Sequence, residues 1–344
     1  MPLKTMRENQ SCDERMPGIV DPNQAVSLLG EGWHAADLHV HTLHSYDVIP
    51  TRQVDPLTLY HEARRKGMTY ISFTDHDTMA AYDQIGWTRE GLVPAVEIKI
   101  LDARNVGHTI HINVYTLDRR QFHEILEIAE KARDIFMLTG FLREEGLPFV
   151  FNHPFWHEPE EKPDFGAVID IAPLFPVLEY NMGRVSRINK QAVRLADALS
   201  KGIVASTDSH IGEIGRAFTL ARGNSFKEFF KGIAARESFL CPADLTLSCL
   251  KEEVAVRIHR LFDRASWLHA KESLAMDTGN AILDGIIRSA AQEGSKLSAL
   301  SRWLLKKTVA VLSGSGLPGA LYLRGQNGLA DRIGRLLEGV GTAA

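Results

Sequence analysis

The chain has little cysteine and no long apolar run, and both absences narrow what it can be. Its 3 cysteines in 344 residues are Cys12, Cys241 and Cys249, an odd number with no CxxC spacing. They read as free thiols in a reducing cytoplasm and not as a crosslinked framework. The longest uncharged run, Thr308 to Leu323, falls short of the ~18 apolar residues a membrane span needs. It is also broken by Ser-Gly-Ser-Gly and Leu-Pro-Gly, which disfavour a helix. The opening MPLKTMRENQSCDERMPGIV lacks an apolar segment, so no secretory signal is read there. Internal repeats and long low-complexity tracts are missing too. These features predict a cytoplasmic protein with no membrane span.

Charge is modest but uneven. The net charge of -4 combines 13 Lys/Arg against 9 Asp/Glu from Lys251 onward with 26 against 34 before it. An acidic first part is self-consistent if it also holds divalent cations, because the ions offset the carboxylates. The weakly basic tail reads as a solvated helical face. Nucleic acid stays open as a partner class, and nothing in the sequence speaks to the oligomeric state.

What is present is an alternation of strand-like and helix-like segments. Strands are predicted at Ala36–Thr42, Tyr70–Thr74, Val93–Leu101, Thr109–Leu117, Phe149–Asn152, Val177–Tyr180 and Ile203–Thr207, each short, apolar and bounded by turn residues. Asp55-Pro56 supplies an N-cap and first-turn proline for a helix that Gly67 closes. Ile125, Ile128, Ala129, Ala132, Ile135 and Phe136 recur at helical spacing in one long segment before Gly146. Asn189 to Ser200 reads as a further helix. This alternation implies a parallel sheet or barrel. After Cys249 only helices are predicted, at Lys251–Lys271, Met276–Gln292 and Leu297–Leu312. Residues 1–34 read as a lead-in, 35–248 as the barrel and 249–344 as a helical C-terminal region of unknown role.

Chemistry-bearing residues gather at the predicted strand ends. In Asp37-Leu38-His39-Val40-His41, histidines two apart on a strand share a face and can reach one cation. Asp37 is placed to orient an imidazole. Thr74-Asp75-His76-Asp77 ends an apolar strand with three ionisable groups that are costly to bury without a metal or mutual pairing. Asp208-Ser209-His210 alternates a carboxylate and an imidazole onto one face, as a mixed oxygen and nitrogen site requires. Glu97, His111 and His153 stand at or within other strands. (β/α) barrels carry their chemistry at such strand ends.

The ordered set DLHVHT, TDHD, VEI, HINVY, NHP and TDSH resembles the PHP family of polymerase and histidinol phosphatase domains. The likeness covers roughly Ala36 to Leu220 and includes GRAFTL at 215–220. It implies an α/β fold, a seven-stranded, distorted TIM-like (β/α) barrel with a C-terminal helical extension. It also implies two or three divalent ions (Zn, Mn or Fe) at the barrel mouth. Carried over position by position, His39, His41, Glu97 and Asp208 would hold the first ion. Glu97 would bridge to a second held by His111 and His153, and Asp47, His76 and His210 would hold a third. His44 competes with Asp47, and His108 with His111.

The reaction implied is hydrolysis of a phosphate ester by a metal-bridging hydroxide, the substrate being a small metabolite, a nucleotide or an oligonucleotide end. Asp75, Asp77 and His210 are candidates to protonate the leaving group. Arg184 and Arg216, both after strand ends, are candidates to bind the phosphate. Two other readings are kept: a metal-dependent, amidohydrolase-like enzyme and a non-catalytic regulatory barrel that serves as a platform for the C-terminal helices.

Overall fold

A computed structural model describes residues 18–29, 31–158, 161–262, 307, 311 and 314–338. Its strands run β1 (Gly18–Ile19), β2 (His34–Asp37), β3 (Tyr70–Ile71), β4 (Ala95–Leu101), β5 (Thr109–Tyr115), β6 (Phe149–Phe151), β7 (Val177–Asn181), β8 (Gly202–Ser206), β9 (Phe218–Ala221) and β10 (Ser238–Cys241). Between and after them lie α1 (Pro22–Leu29), α2 (Pro56–Arg65), α3 (Ala80–Ile85), α4 (Arg119–Glu127), α5 (Ile135–Glu144), α6 (Phe165–Ile171), α7 (Ser186–Ala198), α8 (Phe226–Ala234), α9 (Leu247–Phe262) and α10 (Leu317–Leu337).

The expected single seven-stranded barrel is corrected to two five-stranded sheets, in the orders β1-β10-β9-β2-β3 and β4-β5-β6-β7-β8. Each of the seven predicted strands overlaps an observed one, while β1, β9 and β10 escaped the sequence reading. Nor is the sheet purely parallel: β4 pairs antiparallel with β5, and β5 with β6. The two sheets meet at isolated bridges, Ile71↔Leu92 and His76↔Glu97 on one side and Val40↔Ser209 on the other. A continuous ladder does not form at either seam, because β2 and β3 end before their histidine motifs. His39 and His41 therefore lie just past β2 and not within a strand.

Local chemistry sets the helices. The Asp55 side chain accepts from the Leu57 and Thr58 amides, and Pro56 occupies the first turn of α2. Gly67 then turns the chain out at φ 82°, a left-handed value that glycine adopts without strain. The single long helix expected through Ile125–Phe136 is divided. After α4 the backbone widens into a π turn at Ile128–Ala132 and reverses at Arg133, φ 51°. Asp134 caps α5 through the Phe136 and Met137 amides, and Asp102 takes the Ile135 amide at 2.9 Å. Two carboxylates competing for these amides explain why apolar periodicity alone did not carry one helix through.

Strand alternation builds the interior in layers. Ala36, Val93, Ala95, Tyr115, Val150, Val177 and Val204 belong to one buried apolar cluster, closed by Phe226, Phe229, Phe230 and Ile233 of α8. Two residues further along the same strand faces come Glu97, Asn113, Asn152, Glu179 and Ser206, all buried. The apolar layer is thus the floor on which a polar layer sits.

The sequence before and after the central strands joins this body. Gly18–Ile19 pairs with β10, and Ala25 of α1 is buried. Leu329, Ala330, Ile333 and Leu337 of α10 are buried in the main core cluster, and Arg187 of α7 pairs with Asp331. α9 covers the first part of the helix predicted at Lys251–Lys271. Its remainder, the helix at Met276–Gln292, nearly all of that at Leu297–Leu312, residues 1–17 and Cys12 lie outside the described residues. No helix among the described residues is long and apolar enough to cross a membrane.

This packing is testable at Ile333, fully buried in α10. Ile333→Ala should lower unfolding free energy in urea by about 2–4 kcal/mol, the cost of an aliphatic core truncation. A loss below about 0.5 kcal/mol, a surface-like value, would mean that α10 is not packed on the strand-bearing body.

Candidate metal centre

Glu97 is the centre of the polar layer. Its Oε2 lies 3.2 Å from His39 Nε2, 3.3 Å from His41 Nε2 and 3.1 Å from His76 Nδ1. Its Oε1 lies 3.2 Å from His111 Nδ1 and 3.4 Å from His153 Nε2, and accepts from Asn152 Nδ2 at 2.7 Å. Asp208 Oδ1 is 3.2 Å from both His39 and His41 Nε2. A third carboxylate, Asp47, stands 2.6 Å from His210 Nε2 and 3.3 Å from His76 Nε2. The structure therefore brings His39, His41, Asp47, His76, Glu97, His111, His153, Asp208 and His210 into one cluster.

It also separates the competitors. His44 turns away to Gln84, at 2.6 Å. His108 is buried against the Val106 carbonyl and the Asp164 amide. His111 is the one that faces Glu97, because β5 runs opposite β4 with Lys99 across from His111 and Glu97 across from Asn113.

Electrostatics holds this cluster together. Burial works against charge on His39 and His41. Asp208 and Glu97 outweigh it for both, with Glu179 adding its pull on His39, so His39 stays protonated well above the usual imidazole range and His41 up to about 10. Burial likewise favours neutral Asp47, Glu97 and Asp208, but the facing imidazoles hold all three well below the carboxylate range. His111 differs: burial pushes it down to about 4 despite Glu97, leaving the neutral imidazole that binds a cation.

Hydrogen bonds alone leave this site incomplete. Glu97 Oε2, Asp47 Oδ1, His76 Nδ1 and both His111 nitrogens are buried without a hydrogen-bond partner. Buried polar atoms are ordinarily satisfied, and five such atoms converging on one place form a donor set suited to a cation. Four subsets offer donor atoms mutually within 4.8 Å: His41/Asp47/His76/His210, His39/His41/Glu97, His39/His153/Glu179 and His76/Glu97/His111. The residues fit divalent cations, with hard carboxylate oxygens and imidazole nitrogens mixed.

Supporting residues escaped the sequence reading. Glu179 Oε1 lies 2.7 Å from His39 Nδ1, takes the Ser206 hydroxyl, and through Oε2 accepts the His153 amide at 2.7 Å. A lone acid in the buried strand VLEYN was the available signal. Asn181 Nδ2 donates to Glu179 and Asp208 at 3.0 and 3.1 Å. Tyr46 stacks on His76 at 4.8 Å, and Trp156 lies 4.8 and 5.1 Å from His111 and His153. The backbone is strained here: Asp77, His153 and Asp208 have φ of 52°, 24° and 51°, values that non-glycine residues rarely adopt outside sites that need them.

Three sequence assignments change place. Asp37 does not orient an imidazole; it binds the Thr207 amide and hydroxyl at 3.0 and 2.6 Å and the Gly215 amide at 2.8 Å. Both oxygens of Asp75 are taken by Thr42, at 2.6 and 2.7 Å, so it anchors the turn after His41 and lines no cavity. Arg216 is held by Glu213 and by Cys249 Sγ, outside the cavity wall.

That cavity, of about 1090 Å³, opens over the cluster. Asp47, His76, Asp77, Glu97, His111, His153, Arg184, Asp208 and His210 all line it. Arg184 lies over the Trp156 ring at 5.7 Å, its Nε buried without a partner.

Two substitutions test the centre. Glu97→Gln should lower bound divalent metal by at least one equivalent, measured by elemental analysis, with an unchanged circular dichroism spectrum. Glu179→Gln should weaken metal affinity by about 10- to 100-fold, as for partners that orient a ligating imidazole; full retention in both would remove Glu97 as the hub.

Comparison with known proteins gives a local family match and distant structural likenesses. Residues 187–238 match the PHP-associated family model, PHP_C. A search of curated proteins found no match. Among solved structures, PsfC from Pseudomonas syringae PB-5123 aligns over 67% of this chain and 98% of its own, at 17% identity and TM-score 0.48. A candidate metal-dependent phosphoesterase from Bifidobacterium adolescentis aligns over 61% and 97%, at 16% identity and TM-score 0.37. The lesion-specific endonuclease PfuEndoQ from Pyrococcus furiosus aligns over 82% and 90%, at 14% identity and TM-score 0.39. The six motifs that resemble the PHP family thus stand in order around Glu97, and the PHP-associated match covers residues 187–238 behind them.

Proposed function

We propose that this protein hydrolyses a phosphate ester with divalent ions held between Glu97, Asp208, Asp47 and the surrounding histidines. The observation that carries the reading is the set of unpartnered buried donor atoms around Glu97 at the base of a cavity that Arg184 also faces. Bound there, two or three such ions would supply a water acidic enough to attack near neutral pH and a counter-charge for phosphoryl oxygens.

The chain's own groups do the rest. Among the described residues no carboxylate pairs with Arg184, so its guanidinium is available to take a non-bridging phosphoryl oxygen. Gly183 lets that segment pass close to the cluster: a Cβ there would stand 2.9 Å from Asn181 Oδ1 and 3.8 Å from Asp208 Oδ2. Asp77 lines the cavity, accepts the Lys99 amide at 3.1 Å, and has its carboxyl raised by burial above the usual range. It and His210 are the groups placed to give a proton to the leaving alkoxide. Asp75, enclosed by Thr42, leaves that role. Zn, Mn and Fe all suit the mixed donor set, and the space beyond the cluster admits a nucleotide or the end of an oligonucleotide as readily as a small metabolite.

The test is a panel of aryl phosphate, sugar phosphates, nucleotides and short oligonucleotides, with Mn or Zn added. Turnover that a chelator abolishes and metal restores is expected; metal-loaded protein inert across the panel would overturn the proposal and favour a non-catalytic platform. Arg184→Ala should raise KM for the aryl phosphate about 10- to 100-fold, the worth of one charged hydrogen-bonding contact. An unchanged KM would take Arg184 out of substrate binding.

A further inference from the structure

The cavity wall is not supplied by the metal-cluster strands and loops alone. Leu245, Cys249, Leu250 and Glu253, which follow β10, and Tyr322 of α10 also line it. The segment between β10 and α9 meets the Arg184 loop through a compact set of hydrogen bonds. Asp244 Oδ1 accepts from Tyr180 Oη at 2.8 Å and from Asn189 Nδ2 at 3.0 Å. The next amide, Leu245 N–H, donates to the Arg184 carbonyl at 2.9 Å. Asn189 in turn brackets the loop's first residue, accepting from the Asn181 amide at 3.1 Å and donating to its carbonyl at 2.9 Å. The Asn181 side chain then reaches Glu179, Asp208 and the Gly183 amide, the last at 2.7 Å.

Asp244 is therefore the far anchor of a chain that ends on the metal cluster and runs past the guanidinium facing the cavity. Tyr180 and Asn189 both donate to one carboxylate oxygen, so loss of that acceptor frees two sides of the loop together. Residues 181–184 carry no regular structure of their own beyond the end of β7, and a turn without such ties samples many orientations. We propose that Asp244 is a positioning residue: it fixes Arg184 at the phosphate subsite and so couples the entry to the C-terminal extension to substrate affinity. This rests on the phosphate-ester reading above. Asp244 touches neither substrate nor metal and acts only through the loop.

The test uses the full-length, metal-loaded protein, aryl phosphate as substrate and inorganic phosphate as a binding probe. Asp244→Ala should raise both KM and the phosphate Kd about tenfold, the scale of an anchoring hydrogen bond lost in a buried network, with kcat within about threefold of wild type. Asp244→Asn, which keeps the accepting Oδ1, should recover most of that loss. In an Arg184→Ala background Asp244→Ala should add little, because the two act as one unit. A lowered melting temperature with unchanged KM and Kd, or an Asp244→Ala effect undiminished without Arg184, would overturn the proposal. If Asp244→Ala does not fold, Tyr180→Phe removes a single donor and must raise the phosphate Kd about two- to threefold, a weaker share of the same network, or the proposal falls. Wild-type protein that binds phosphate but turns over no ester would overturn the hydrolase reading alone, leaving the phosphate-binding comparison to decide on Asp244. An active wild type unaffected by Asp244→Ala would overturn only the positioning role.

Discussion

A carboxylate with no exposed surface needs opposing charge within a few ångströms, and Glu97 obtains it from His39, His41 and His76. Burying an uncompensated charge is among the most unfavourable things a fold can do. The surrounding architecture answers that one requirement. β4 delivers Glu97 above an apolar floor, the ends of β2, β3, β6 and β8 deliver imidazoles and a second carboxylate, and Asn152 takes one remaining lone pair. Protons shared between His39, His41, Asp208 and Glu97 balance the charge among the protein's own groups. Divalent ions at the same positions would displace those protons.

Rigidity below makes strain above affordable. Two layers, the Val/Ala/Tyr floor and the Glu/Asn/Ser layer two residues on, fix where each strand ends. Only then can the chain hold Asp77, His153 and Asp208 in left-handed conformations, since such residues persist when their surroundings over-determine them. Glu179 extends the same logic. By binding His39 Nδ1, the Ser206 hydroxyl and the His153 amide at once, it locks an imidazole's orientation and the loop bearing another candidate ligand.

The C-terminal helices belong to this economy of position. α10 buries Ile333 and Leu337 against the core that carries the strands, while α9 and Tyr322 border the cavity. A segment whose apolar stripe needs a surface to cover has found one beside the site.

Much of the site was legible along the chain, because its signals are local. HxH and DSH set candidate ligands two residues apart just past a strand end, and in DHD the middle histidine is the one that faces Glu97. Asp55-Pro56 and Gly67 likewise fixed α2 through interactions within a single turn. Long-range pairing was not legible. Nothing local says that β5 runs antiparallel to β4, which is what turns His111 toward Glu97, or that β9 returns to flank β2 with β10 beyond it. The same holds for partners distant in sequence: Glu179 on His39, Thr42 on Asp75, Thr207 on Asp37 and Asp244 on the Arg184 loop. Sequence determined which residues could bind a cation and at which strand ends they stand. Tertiary structure decided which carboxylates face imidazoles and which only fasten a turn, because that depends on strand register and order and on contacts as far apart in sequence as 33 residues for Asp75 and 170 for Asp37.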